Sequence, residues 1–217
     1  MTAWDAEEHW ATAGAPDLLA QGAVTSFARD TITSPEGETL VREFLRHPGS
    51  VIIIALDDDG RIAVVHQYRH PVGMRLIEAP AGLLDVPGES PWEAAKRELA
   101  EEAGLGADDW RVLADFVSSP GISTEVARIY LARGLRQVGR PAGFAVHGEE
   151  VDMGLAWVNL DDVVAAVRAG EVDNVSLAYG CTALKLALTT DTLDQLRPAD
   201  APWLAREVKQ RLDAARG

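Results

Sequence analysis

Ser90-Pro91-Trp92-Glu93-Ala94-Ala95-Lys96-Arg97-Glu98-Leu99-Ala100-Glu101-Glu102-Ala103-Gly104-Leu105 is the stretch on which the reading of this chain turns. Ser90 and Glu93 stand three apart, so each side chain can reach the other's backbone amide in a capping box. Pro91 falls at the first helical position, where a missing N–H costs nothing. Gly104 stands where a left-handed C-terminal cap is expected, and the spacing predicts a helix over about 90–103. Ala94, Ala95 and Leu99 give it one apolar stripe, so it must lie against a core.

The segments on either side of this helix read mainly as strands. Val51-Ile52-Ile53-Ile54-Ala55-Leu56 is apolar and largely β-branched, and Asp57-Asp58-Asp59-Gly60 is a hairpin turn. Arg61–Tyr68 returns as its partner, and Met74–Ala79 is a third strand. Further strands are expected at Trp110–Phe116, Ala127–Leu135 and Gly154–Val158. Apolar spacings of three and four predict helices at Leu160–Ala169, Val175–Leu188 and Trp203–Ala215. Ahead of all this, Ala23–Thr33 and Thr39–Arg46 read as two strands joined by the turn Ser34-Pro35-Glu36-Gly37-Glu38. The order of elements indicates an α+β or mixed α/β sandwich, without the regular alternation of a doubly wound chain.

On the helix, Glu98 and Glu102 lie about 40° apart and Glu101 about 60° to the other side of Glu98. Three carboxylates thus share one sector of the last two turns, where like charges repel and the helix dipole disfavours acids. Two readings of the sector stand on these residues: a solvated acidic face eased by Lys96 and Arg97, or a cradle for a hard divalent cation such as Mg²⁺ or Mn²⁺.

The 217 residues carry 20 Lys and Arg against 34 Asp and Glu, a formal charge of −14. That balance argues against binding a nucleic-acid backbone. A single cysteine, Cys181, excludes an intrachain disulfide framework and a CxxC zinc site. The longest apolar run, six residues, is too short to span a bilayer. Acids at the N-terminus do not suit a secretion signal. The chain reads as cytoplasmic, with no membrane partner. It carries no Walker loop, GxSxG elbow, HExxH or GxGxxG. His66 and His70 flank Tyr68 without ligand logic toward the acids and are expected to pack on a strand face.

Gly82, Glu89 and Arg97-Glu98-Leu99-Ala100-Glu101-Glu102-Ala103-Gly104-Leu105 together resemble the Nudix box, G-x5-E-x7-R-E-U-x-E-E-x-G-U, where U is aliphatic. From Glu89 onward every fixed position is filled. Upstream, six residues rather than five separate Gly82 from Glu89, which places one extra residue in the loop 83–88. Gln67-Tyr68-Arg69, Glu78-Ala79-Pro80-Ala81-Gly82, Ser119-Pro120-Gly121 and Gly148-Glu149-Glu150-Val151-Asp152-Met153 are similar to the ADP-ribose pyrophosphatase branch, in its actinobacterial type.

The resemblance implies an α/β/α sandwich over 49–217 and a β-rich segment, 1–48, used to build a homodimer. It implies Mg²⁺-dependent hydrolysis of ADP-ribose to AMP and ribose 5-phosphate, with Mn²⁺ as a substitute metal and a small nucleotide as the partner. Carried over to this chain, Glu98, Glu101 and Glu102 bind metal with the backbone carbonyl of Ala81, Arg97 holds the glutamates, and Glu89 is auxiliary. Glu149 takes the position of the general base, which can also touch metal, with Glu150 as its alternative; on the residues alone the pair reads first as an exposed acidic loop, and only the resemblance lifts the catalytic reading above it. Arg69, Arg42, Glu78 and Gly82 fall at substrate-binding positions. Arg69 reads equally well as a strand-end ion pair. Two other functions stand beside this one: hydrolysis of another nucleoside diphosphate derivative, such as a sugar nucleotide or NADH, and a catalytically silent ADP-ribose sensor.

Overall fold

A computed structural model describes residues 4–141 and 154–216. They form two compact units. The first comprises residues up to Gly49 together with Val117–Val126 and Pro202 onward; the second comprises Ser50–Phe116 and Ala127–Ala201.

The second unit is organised by the apolar run foreseen around residue 51. It forms strand β5 (Ser50–Ala55), whose residues from Val51 onward are at most 2% exposed. Successive side chains of a strand point to opposite faces, and here both faces are covered. Val51, Ile53 and Ala55 join one core cluster with Ala94, Ala95 and Leu99 of helix α1 (Pro91–Ala103). Ile52 and Ile54 join a second cluster. Its helical members are Leu160 and Val163 of α2 (Leu160–Ala169) and Leu177, Cys181 and Leu184 of α3 (Val175–Thr189). Helix, sheet and helices are therefore stacked as an α/β/α sandwich, the fold class read from the sequence.

Strand β5 pairs in parallel with β10 (Val126–Gln137), Ile53 opposite Tyr130, and antiparallel with the short β8 (Ala81–Leu83), Val51 opposite Gly82. Strand β9 (Leu105–Val117) and the two-residue β12 (Arg197–Pro198) complete a five-stranded sheet of order β12-β9-β10-β5-β8. A second, antiparallel sheet has β6 (Arg61–Arg69) between β7 (Met74–Glu78) and β11 (Gly154–Asn159). Buried Arg128 is held by the Asp115 carboxylate and the carbonyl of Ala201. That pairing is what allows a guanidinium inside this core.

In the first unit, β3 (Ser26–Thr33) is flanked by β4 (Thr39–Arg46) in full antiparallel register and by β2 (Asp17–Gln21) and β1 (Ala11–Thr12). The edge strands β1 and β2 were not read from the sequence; β2 is exposed along its whole length, so no apolar alternation marks it. Helix α4 (Leu204–Arg216) belongs to this unit, where Arg211 pairs with Glu7. No helix among the described residues is long and apolar enough to cross a membrane.

Helix α1 carries the caps its sequence calls for. The Ser90 hydroxyl accepts from the Glu93 amide, the Glu93 carboxylate accepts from the Ser90 amide, and Gly104 closes the end at φ 66°. Replacing Ser90 with Ala should lower stability by about 1 kcal/mol, measured by urea denaturation, because it leaves an amide at the first turn without its acceptor.

Candidate active site

The site grows from the packing of α1 on β8. The apolar stripe of α1 faces the core, which turns Glu98 and Glu102 toward the strand. The Glu102 carboxylate accepts from the backbone amide of Ala81 at 2.9 Å. The Glu98 carboxyl lies against Gly82 so closely that a Cβ there would stand 2.0 Å from its Cδ. Glycine at 82 is thus what lets strand and carboxylate meet. Glu102 is 8% exposed and the Glu98 side chain 13%, so both charges are largely withdrawn from water.

Arg97 is the organising cation. Its guanidinium donates to both oxygens of Glu89 at 3.0 Å, to Glu98 at 2.6 Å and to Glu101 at 3.0 Å. One planar, permanently charged group therefore holds three carboxylates across the turn before the helix and its last two turns. Glu89 does this from beyond the loop 83–88. The extra loop residue leaves Gly82 against Glu98 and Glu89 against Arg97, so both ends of the signature meet the helix.

Burial pushes the Glu98 carboxyl up to about 7, even though Arg97 attracts its ionised form; Glu101 and Glu89 add repulsion. Bidentate bonding to Glu89 raises the Arg97 guanidinium in turn. The balance at Glu98 is decided by desolvation, which a single shared guanidinium does not offset.

Such a carboxylate asks for either a proton or a further cation. The donors around it are oxygens, as Mg²⁺ or Mn²⁺ prefers, and the glycine opening brings backbone to the same point. Among the described residues no three acidic, histidine or cysteine side chains converge as a complete ligand cage. Mg²⁺ does not require one: it is commonly held by one or two carboxylates, with waters and substrate phosphates filling its shell. The residues present fit the ion on those terms.

The remaining residues singled out from the sequence are dispersed. Arg69, at the end of β6, is bound bidentately by buried Glu78, at the end of the neighbouring β7, at 2.9 and 2.7 Å. The strand-end ion pair is therefore present, and Glu78 orients the arginine. Arg42 lies on β4 of the first unit, opposite Asp30, and donates to the Val41 carbonyl. Glu149 and Glu150 lie outside the described residues. His66 is exposed on β6, contrary to the expected packing. One contact had no signal in the sequence: Arg140, 38 residues downstream, donates to the Glu102 carbonyl in the last turn of α1 at 3.3 Å.

A layered fold with a buried glutamate set on a glycine-abutted helix defines the class, and sequence comparison agrees. The profile of the NUDIX domain matches residues 46–177, and the chain belongs to the Nudix family of hydrolases. It is 45% identical over 190 residues to an ADP-ribose pyrophosphatase of Mycobacterium tuberculosis, covering 88% of this chain and 89% of that one. It is 31% identical over 172 residues to an ADP-ribose pyrophosphatase of Bacillus subtilis, covering 79% and 91%. A crystal structure of an ADP compounds hydrolase superposes with a TM-score of 0.70 at 18% identity, over 87% of this chain and 98% of that one. That last likeness bears on the fold alone.

Burial pushes the Glu98 carboxyl from the ordinary 4.5 up to about 7, so the folded state keeps its proton within that window. Its contribution to the stability of metal-free protein is full below about pH 4.5 and is lost as pH rises through 7, a change of up to about 3 kcal/mol. Subtracting the urea-denaturation profile of E98Q from that of the wild type should isolate it. Replacing Gly82 with Ala should displace the Glu98 carboxyl, so this pH-dependent component should shrink in G82A.

Proposed function

We propose that this protein hydrolyses the diphosphate bond of ADP-ribose, giving AMP and ribose 5-phosphate, with Mg²⁺ as cofactor and Mn²⁺ able to replace it. The observation that carries the choice of substrate is the 45% identity, along nearly the whole chain, to a relative called ADP-ribose pyrophosphatase. The chemistry is supported by the glutamate set that Arg97 gathers.

Glu98 and Glu102, with Glu101 and the backbone carbonyl of Ala81, would hold the metal. When bound, the ion neutralises diphosphate charge and lowers the pKa of a coordinated water. The protein's own residues do the rest. Arg97 fixes the carboxylates through three partners, so they keep their spacing as substrate arrives. Glu89 anchors Arg97 from the loop side. Gly82 admits the close approach of backbone and substrate. Arg69, aligned by Glu78, offers a guanidinium to a phosphate oxygen. Glu149 removes the proton of the attacking water and can also touch the metal, with Glu150 as its neighbour for the same task. Arg42 reaches the substrate from the partner subunit of a homodimer.

Dimer formation is supported by the first unit's surface. Its four-stranded sheet leaves Leu18, Leu19, Phe27, Val41 and Leu45 exposed. A small sheet with that much apolar surface in water is poorly stabilised alone and suits an interface. We place the enzyme in the cytoplasm.

With ADP-ribose and Mg²⁺, release of AMP should be measurable by chromatography, and no release would overturn the reading. E98Q should lose at least about 100-fold in kcat and weaken metal binding. E149Q should lose about 100-fold or more in kcat with little change in KM. If E149Q keeps its turnover and E150Q loses it, the base is Glu150. Light scattering should return twice the 23.3 kDa of one chain.

A further inference from the structure

Helix α1 has a second working face. Lys96 is two residues from Glu98, and two residues are about 200° of helix, so Lys96 points away from the glutamates. Trp92 and Ala100, four residues to either side of it, share its face. This face borders a cleft of about 420 Å³ within the second unit, open to solvent and lined also by the start of β9 and the end of β10. That volume lies within the range of small-molecule sites.

The lining has a definite chemistry. Trp92 and Trp110 contribute indoles, and Leu105 and Val138 add aliphatic wall. Lys96 holds its ammonium 3.5 Å from the centroid of the Trp92 ring, and the charge of Glu93, three residues earlier on the helix, acts on it without a direct ion pair. Arg136 enters from the opposite side, where its only carboxylate partner among the described residues is Asp108 at 3.3 Å. Both members of that pair are solvent-exposed, and an exposed pair neutralises little. Gly106 keeps the floor low. A Cβ there would meet Val138 at 3.0 Å and the Arg136 guanidinium at 3.2 Å, so the glycine lets that guanidinium rest on the strand. The buried Trp92 indole N–H has no acceptor among the described residues, a state that is unfavourable unless an acceptor reaches it.

We infer that this cleft, on the far side of α1 from the glutamates, is a binding site for a ringed organic anion of nucleoside-monophosphate size. In a chain with 34 acids and 20 bases, two cations beside indole walls are a selective feature. An ammonium and a guanidinium pair with a phosphate, while the guanidinium plane and the aliphatic wall accept a flat ring. The placement of the cations on opposite sides favours a ligand whose anion and ring are recognised together over a bare anion.

The test uses the whole protein without divalent metal and follows the tryptophan indole N–H signals by NMR, assigned through W92F and W110F. AMP, adenosine and inorganic phosphate are the probes. AMP should shift the Trp92 and Trp110 signals saturably, with adenosine and phosphate each binding at least about tenfold more weakly. The double variant K96Q/R136Q should weaken AMP binding at least about tenfold. Its Trp157 signal, from an indole lying against Arg61, should stay in place and report an intact fold. Unmoved Trp92 and Trp110 signals at millimolar AMP would overturn the inference, as would shifts that survive K96Q/R136Q. Phosphate binding as well as AMP would overturn the assignment to a ringed anion. Turnover of ADP-ribose by the same wild-type preparation after Mg²⁺ is added reads the catalytic proposal separately, so either can fail without the other.

Discussion

The guanidinium of Arg97, bonded at once to Glu89, Glu98 and Glu101, is the constraint on which the site depends. Without it, the acids of α1 and the loop before it would repel one another near the unfavourable end of a helix dipole. With it they are held at hydrogen-bond distance, yet not neutralised. Burial still drives Glu98 upward, and that residual demand for positive charge is the physical property that suits the site to a divalent ion.

The scaffold makes this tension tolerable. The capping box and Gly104 hold both ends of α1, and Ala94, Ala95 and Leu99 lock it onto β5. Gly82 and the Ala81 amide then meet two carboxylates from the strand side. Arg140, donating to the Glu102 carbonyl, ties the exit of β10 to the last turn of the same helix. The glutamates are therefore carried by a rigid element supported from several directions, which is what a preorganised site requires. The opposite face of α1 shows a different chemistry, Lys96 against the Trp92 indole beside a cleft that Arg136 of β10 also lines.

Much of this was legible in order along the chain. Helix α1, the strands β5 and β6, and the helices α2 to α4 announced themselves by caps, β-branched runs and helical periodicity, since those are local consequences of residue type. The expected hairpin pairing of β5 with β6 did not form: across the Asp57–Gly60 turn the chain pairs only at a Leu56–Ile62 bridge, because β5 is paired by β10 and β8 and β6 by β7 and β11 in a separate sheet. The short strand β8 was not foreseen, nor were β1, β2 and β12. Two- to five-residue strands carry too little pattern, and they form because a neighbouring strand offers hydrogen bonds. Strand β9 also begins at Leu105, earlier than its apolar signal at Trp110, for the same reason.

The sequence by itself determined that Glu98, Glu101 and Glu102 share one sector of a helix, because 100° per residue is a property of the backbone and needs no neighbours. It also supplied the spacing that marks the chain as a Nudix hydrolase. Only the tertiary structure decided that Glu98 would be buried against Gly82, that Glu89 would close on Arg97 from across a loop, and that Arg69 would be held by Glu78. It alone brought Lys96 and Arg136, forty residues apart, to one cleft. Burial and long-range pairing depend on which surfaces meet when the core closes, and no local spacing encodes that.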